Sequence, residues 1–422
     1  MPKQLVRNPL VWLAGLLATV LAIIFTYAYI GAFLNPSGNA RNVPVAVVSE
    51  DAGTTFHKIK LNLGSELASS VTSKEVSSKE VRFTVLASRQ ALLARMRDDK
   101  VFAAIVVPRD FSQKVAALLA GKASAGKGLQ IEILTNPEAG TIASSSGERI
   151  ATETVQRFEK EAVTRINAGL KLLGVKPSGN LAGAFADTGV VTVQPAVALP
   201  GKSALGTGPF FFQLTIVLGG FFLAAIISAG VEIAAGRSKL HLPGWTFEYP
   251  AVGASESGSA VLKTALTLLF AVLVALLQTL FAVKCLGMQA TNPVALAFFS
   301  ALGSAAVAMV TLFFLLTFDV VGRIVAVLVT ILFAVPSSGG VYPAQTLPRF
   351  FRFLGDWLPL RRMTDGGRSL TFYGGNGAAG LGTALWVLAS YLVLFTLLTV
   401  LVIWRRRSRE ARAAAGATQS DS

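Results

Sequence analysis

FFFQLTIVLGGFFLAAIISA, residues 210–229, runs without a single charged side chain. At about 1.5 Å per helical residue it reaches across the roughly 30 Å of hydrocarbon in a lipid bilayer. Working outward, five more apolar runs have the same character: 10–33, 261–283, 294–316, 320–335 and 381–404. The run at 320–335 is the weakest. It holds Gly322 and Arg323 and would span only about 24 Å as a straight helix, so it leans on its flanks or on local thinning of the bilayer. With 53% hydrophobic and only 14% charged residues, the composition lies outside the soluble range and indicates a membrane protein.

Basic residues set the expected orientation. Lys3 and Arg7 precede the first run, and WRRRSREAR (404–412) closes the last, so both termini are predicted on the cytoplasmic side of the cell membrane, in keeping with an even number of crossings. The first run exceeds the apolar core of a signal peptide and no clean A-x-A site follows, so it reads as an uncleaved anchor. Segment 35–208 then falls outside, 236–258 inside, Asp319 to Arg323 marks a tight inner turn, and AVPSSGGVYPAQTLPRFF (334–351) lies outside. Arg349, Arg352, Arg361, Arg362 and Arg368 near that outer stretch run against the charge rule. They are read as an interfacial element reaching outer headgroups. The net charge of +15 collects at predicted membrane edges, where basic side chains meet anionic lipid; no nucleic-acid-binding pattern accompanies it.

Between the first two runs the period changes. VPVAVVSED (43–51) reads as a strand, FHKIKLNLGSELASSV (56–71) as a helix, and VRFTVLAS (81–88) as a strand with Val81, Phe83 and Val85 on one face. A helix over 88–100, a buried strand at 101–107, a helix opened by Pro108 and an alternating strand at 129–135 follow. Alternating strands and helices predict one α/β layer domain. Val155, Phe158, Ala162, Ile166, Leu170 and Leu173 recur at helical spacing, with Glu153/Arg157 and Glu161/Arg165 as flanking pairs. KPSGNLAGAFADTG (176–189) reads as loop, and VVTVQPAVALPG (190–201) as an extended return.

Little in the chain points to catalysis. GKASAGKG (121–128) fits G-x-x-x-x-G-K, but Gly128 stands where Ser or Thr would hold magnesium, and a helix comes before it instead of a strand. It reads as a linker, so no ATPase of its own is expected. His57 and His241 fall on opposite sides of the membrane and read as solvated, as does the Asp98–Asp99 pair. No enzyme, metal or cofactor site is predicted. Cys285 is the sole cysteine; it excludes an intrachain disulfide and reads as packed. Glu232, Lys263, Lys284, Asp319 and Arg323 sit at span ends, where snorkelling is expected. Asp319 and Arg323, four apart, are predicted to pair across one helical turn at the inner face.

VPVAVVSEDAG after the first crossing, with SSGGVYP, LPRFFRFLGDWLPL and GGRSL before the last, resembles the YhgE/Pip (phage-infection-protein) group of ABC-2-type membrane proteins. Ser49 replaces the asparagine frequent there, and the external domain is shorter than in the long coiled members. The resemblance implies a re-entrant external element formed by Gly339, Gly340, Tyr342, Pro343, Leu347 and Pro348. Backbone of that kind survives at membrane depth only where protein or water satisfies it.

The fold expected is therefore an α-helical polytopic membrane protein with six transmembrane helices and an inserted extracytoplasmic α/β domain. Its parts are 1–34 (N-terminus and first helix), 35–208 (α/β domain), 209–404 (five-helix ABC-2-type domain with the re-entrant segment near 336–375) and 405–422 (basic tail). The function expected is the permease subunit of an exporter for an amphiphilic or envelope-related cargo. It would work as a homodimer or with a related permease, driven by a separate cytoplasmic ATPase docking on Arg237, Lys239, Trp245 and Glu248. A non-transporting surface receptor or secretion-complex scaffold is the alternative.

Overall fold

The computed structural model describes residues 35–420 apart from 73–78, 123–127, 177–178, 188–190, 244, 248–249 and 251–254, together with Tyr27, Ala28 and Ala32. Nearly all of the first apolar run, most of the 121–128 linker and Glu248 thus lie outside the described residues. Two compact units emerge. One joins Pro36–Thr207 to Val341–Thr346; the other holds Gly208–Gly340 and Leu347–Ser422.

The first unit is built on a five-stranded sheet. Its strands are β1 (Val43–Ser49), β4 (Val81–Leu86), β5 (Ala103–Val107), β6 (Ile131–Thr135) and β7 (Val191–Pro195), in the order β4-β1-β5-β6-β7. β1 runs parallel to β4 and β5, β6 is antiparallel to β5, and β7 is parallel to β6. β2 (Thr54–Phe56) and β3 (Ile59–Leu61) form a separate hairpin. The helices are α1 (Pro36–Asn39), α2 (Leu63–Thr72), α3 (Arg89–Arg97), α4 (Phe111–Leu119), α5 (Thr141–Leu172) and α6 (Leu181–Asp187).

Successive strand residues point to opposite faces, and both faces are covered here. Val43, Val45 and Val47 pack with Leu63, Leu67, Phe111, Val115, Val155 and Phe158, whereas Ala46, Val48, Ala104 and Val106 meet Leu92 and Met96 of α3. Burial on two sides is what near-continuous apolar strands such as β1 and β5 require.

Several local expectations change. Residues 56–71 are not one helix: Asn62 ends a hairpin and only α2 is helical. Pro108 precedes α4 by three residues, and Asp110 is the cap position. Val85 is exposed because β4 is an edge strand. Residues 181–187 are helical, not loop. Arg165 pairs with Glu66 at 3.2 Å rather than with Glu161, since α2 packs alongside α5. Leu173 lies exposed beyond the end of α5.

The second unit is helical throughout its core: α7 (Gly208–Ala234), α8 (Glu256–Leu280), α9 (Pro293–Val327), α10 (Ala334–Ser337), α11 (Arg349–Trp357), α12 (Pro359–Thr371) and α13 (Leu381–Ser420). Among the described residues, four stretches are long and apolar enough to cross a membrane, Gly208–Ala234, Glu256–Cys285, Pro293–Asp319 and Leu381–Arg412, with Val321–Ser337 a shorter apolar helix. The chain is therefore a mostly helical membrane protein.

α9 breaks at Asp319 (φ 46°, ψ −113°). A methyl group on Gly322 would lie 2.0 Å from the Phe314 carbonyl oxygen, although eight residues of straight helix extend about 12 Å. The chain reverses here, and only glycine permits so close a return. Cys285, expected to be packed, is exposed, because α8 ends in a widened turn, Phe281–Cys285, that turns the thiol outward.

Candidate functional site

The interior end of a membrane helix is a costly place for a charge, so every charged side chain there needs a partner. Lys263, on the second turn of α8, is 5% exposed. Its Nζ donates to Glu232 Oε1 at 2.5 Å, and Glu232, in the last turn of α7, also accepts from Arg237 Nε at 2.7 Å and Nη2 at 3.2 Å. One carboxylate thus joins two cations from different elements. Arg323 Nη2 stands 3.6 Å from Asp319 Oδ1, and Arg406 Nη1 stands 3.6 Å from Glu256 Oε2, while Arg406 also donates through Nη2 to the Leu316 carbonyl. These groups surround a cavity of about 650 Å³.

Helix ends explain why the polar groups converge. Ser255 caps α8 by accepting from Gly258 N at 3.0 Å. Glu410, from α13, accepts from Ser257 N at 3.0 Å and Ser257 Oγ at 2.5 Å, placing negative charge where the free N–H groups of a helix start favour it. α13 therefore ties the start of α8 to the end of the first limb of α9.

The predicted docking residues separate. Arg237 belongs to the cavity, Trp245 is exposed on a short hairpin (β8, Leu240–Leu242; β9, Trp245–Phe247) and Lys239 precedes that hairpin. The predicted re-entrant residues also divide. Tyr342 and Pro343 belong to the α/β unit, where Gln345 accepts from Arg41 N at 2.8 Å; Gly339, Gly340, Leu347 and Pro348 belong to the bundle. Gly339 has φ +70°, and a methyl on Gly340 would lie 2.0 Å from Phe210 Cδ2. α11 exposes Phe350, Phe353 and Trp357, and α12 packs among α7, α9 and α13.

Two groups were not legible as sites. The Glu232–Lys263 pair joins the ends of two separate apolar runs; the only signals were a carboxylate three residues past one run and a lysine in the first turn of the next. Asp51, in the VPVAVVSEDAG motif, accepts from Gly53 N (3.2 Å), Gly64 N (3.0 Å), Ser112 N (3.2 Å) and Ser112 Oγ (2.5 Å). It thereby caps α2 and α4 at once.

A model of the family described as protein of unknown function (DUF3533) matches residues 14–397. The chain belongs to the DUF3533 family. A stretch of 151 residues, 35% of this chain, is 26% identical to "Uncharacterized protein YhgE" of Bacillus subtilis (strain 168). The match covers 19% of that relative, so the likeness extends to the YhgE-like group over a limited region. No solved structure matches.

Proposed function

We propose that this DUF3533 protein is the membrane permease subunit of an ABC-2-type exporter for an amphiphilic or envelope-related cargo. In this reading it sits in the cell membrane with both termini cytoplasmic, crosses six times and carries its α/β unit outside. It pairs with a second copy or a related permease and is powered by a separate ATPase. The observation that supports this most is an ionic cavity within a bundle of membrane-length helices, whose buried Lys263 is held by a carboxylate from another helix. A buried charge in a membrane helix is by default a functional-site hypothesis.

The test is co-purification of the tagged chain from native membranes, followed by reconstitution. An associated nucleotide-binding subunit whose hydrolysis rises in the presence of the chain is the expected result. A stable complex without any nucleotide-binding subunit would favour a receptor or secretion scaffold and end the exporter reading.

A further inference from the structure

Lys263 carries three ammonium protons, and among the described residues only Glu232 receives one. The other two belong to a side chain that is 94% buried and lines the cavity. Arg323 and Arg406 face the same space, each 3.6 Å from its carboxylate, beyond ordinary charge-assisted hydrogen-bond range. Four cations (Arg237, Lys263, Arg323, Arg406) meet three acids (Glu232, Glu256, Asp319) around the cavity, leaving one net positive charge. Glu232 is already satisfied by two cations, and Arg406 spends Nη2 on the Leu316 carbonyl, so the unspent donors are those of Lys263 and Arg323 and the remaining ones of Arg406.

A second, apolar crevice of about 450 Å³ is lined by Ile227, Gly230, Val231, Leu262 and Leu266 of the same two helices. Val231 and Leu262 are the chain neighbours of Glu232 and Lys263. Polar donors and an apolar slot thus flank one helix pair within a single turn.

We infer that this cavity binds the phosphate-bearing headgroup of an anionic lipid, with an acyl chain in the apolar crevice of the same helix pair. Lys263, Arg323 and Arg406 donate to the phosphate oxygens. The inference fits the exporter reading by naming its amphiphile class, but the binding is measured without any ATPase, so either reading can fail alone.

The experiment is native mass spectrometry and titration of the detergent-purified full chain with dioctanoyl phosphatidylglycerol, dioctanoyl phosphatidylcholine, glycerol phosphate and inorganic phosphate. One phosphatidylglycerol per chain is expected, at least tenfold tighter than phosphatidylcholine. Arg323→Gln, at an exposed side chain, is expected to weaken it at least fivefold with an unchanged melting temperature. Gly230→Leu, at a position with open space around it, is expected to weaken the lipid but not glycerol phosphate. Equal affinity for the two lipids, or no effect of Arg323→Gln together with Arg406→Gln, overturns the inference. Inorganic phosphate binding as tightly as the lipid overturns it too, leaving only an anion site.

Discussion

Lys263 and Glu232 show how one residue depends on another far away in sequence. Removing one member of a buried pair strands the other, at a cost of about 3–5 kcal/mol, whereas replacing both with apolar groups is close to neutral. Glu232→Leu alone strands the buried Lys263 and should therefore lower the unfolding temperature of the purified chain markedly, and adding Lys263→Met should recover most of the loss. A double variant no better than the single one would mean that the pair is not coupled.

Glu159, in the α/β unit, behaves differently. Its Oε1 is buried and without a partner among the described residues, and burial pushes its carboxyl up to about 7. Because the folded value lies above the unfolded one, its contribution is full below pH 4.5 and is lost as pH rises through about 7. Glu159→Gln should thus stabilise the chain at pH 8, by about 1 kcal/mol once solvent screening is allowed for, and give little at pH 4.5. Melting curves at the two pH values decide it.

At the scale of elements, Asp51 replaces what two separate caps would do. Its carboxylate satisfies orphan N–H groups at the starts of α2 and α4, and hydrogen bonds to a charged group are worth about 1.5–3 kcal/mol each at most. Asp51→Ala is expected to cost about 2–4 kcal/mol and to raise hydrogen exchange in both helices together. Exchange rising in α2 alone would show that the two ends are independent. The same scale governs Gly340, where a side chain would run into Phe210 at the start of α7. Overpacking of that kind costs about 1–3 kcal/mol, so Gly340→Val should lower the melting temperature while Gly377→Ala, in open space, leaves it unchanged.

For the whole molecule, the proposed topology is accessible to cysteine labelling because Cys285 is the only native thiol. On a Cys285→Ser background, Ser65→Cys or Thr164→Cys in the α/β unit should react with a membrane-impermeant maleimide in intact cells, and Ser408→Cys only after lysis. The reverse pattern would invert the chain and place the α/β unit inside.

The apolar runs and the strand and helix periods were legible locally, since burial in lipid or in a sheet imposes a pattern on neighbouring residues. That local pattern was enough to establish membrane residence and the position of most strands in the α/β unit. The hairpin at 54–61 escaped because its alternation is too short to stand out from helix. Only the tertiary structure decided that Glu232, Lys263, Asp319, Arg323 and Arg406 share one cavity, and that Val341–Thr346 packs with the α/β unit. Pairings between charges on different helices, and close approaches such as Gly322 on Phe314, leave no periodic trace. They depend on distances across the fold, which no single stretch of chain encodes.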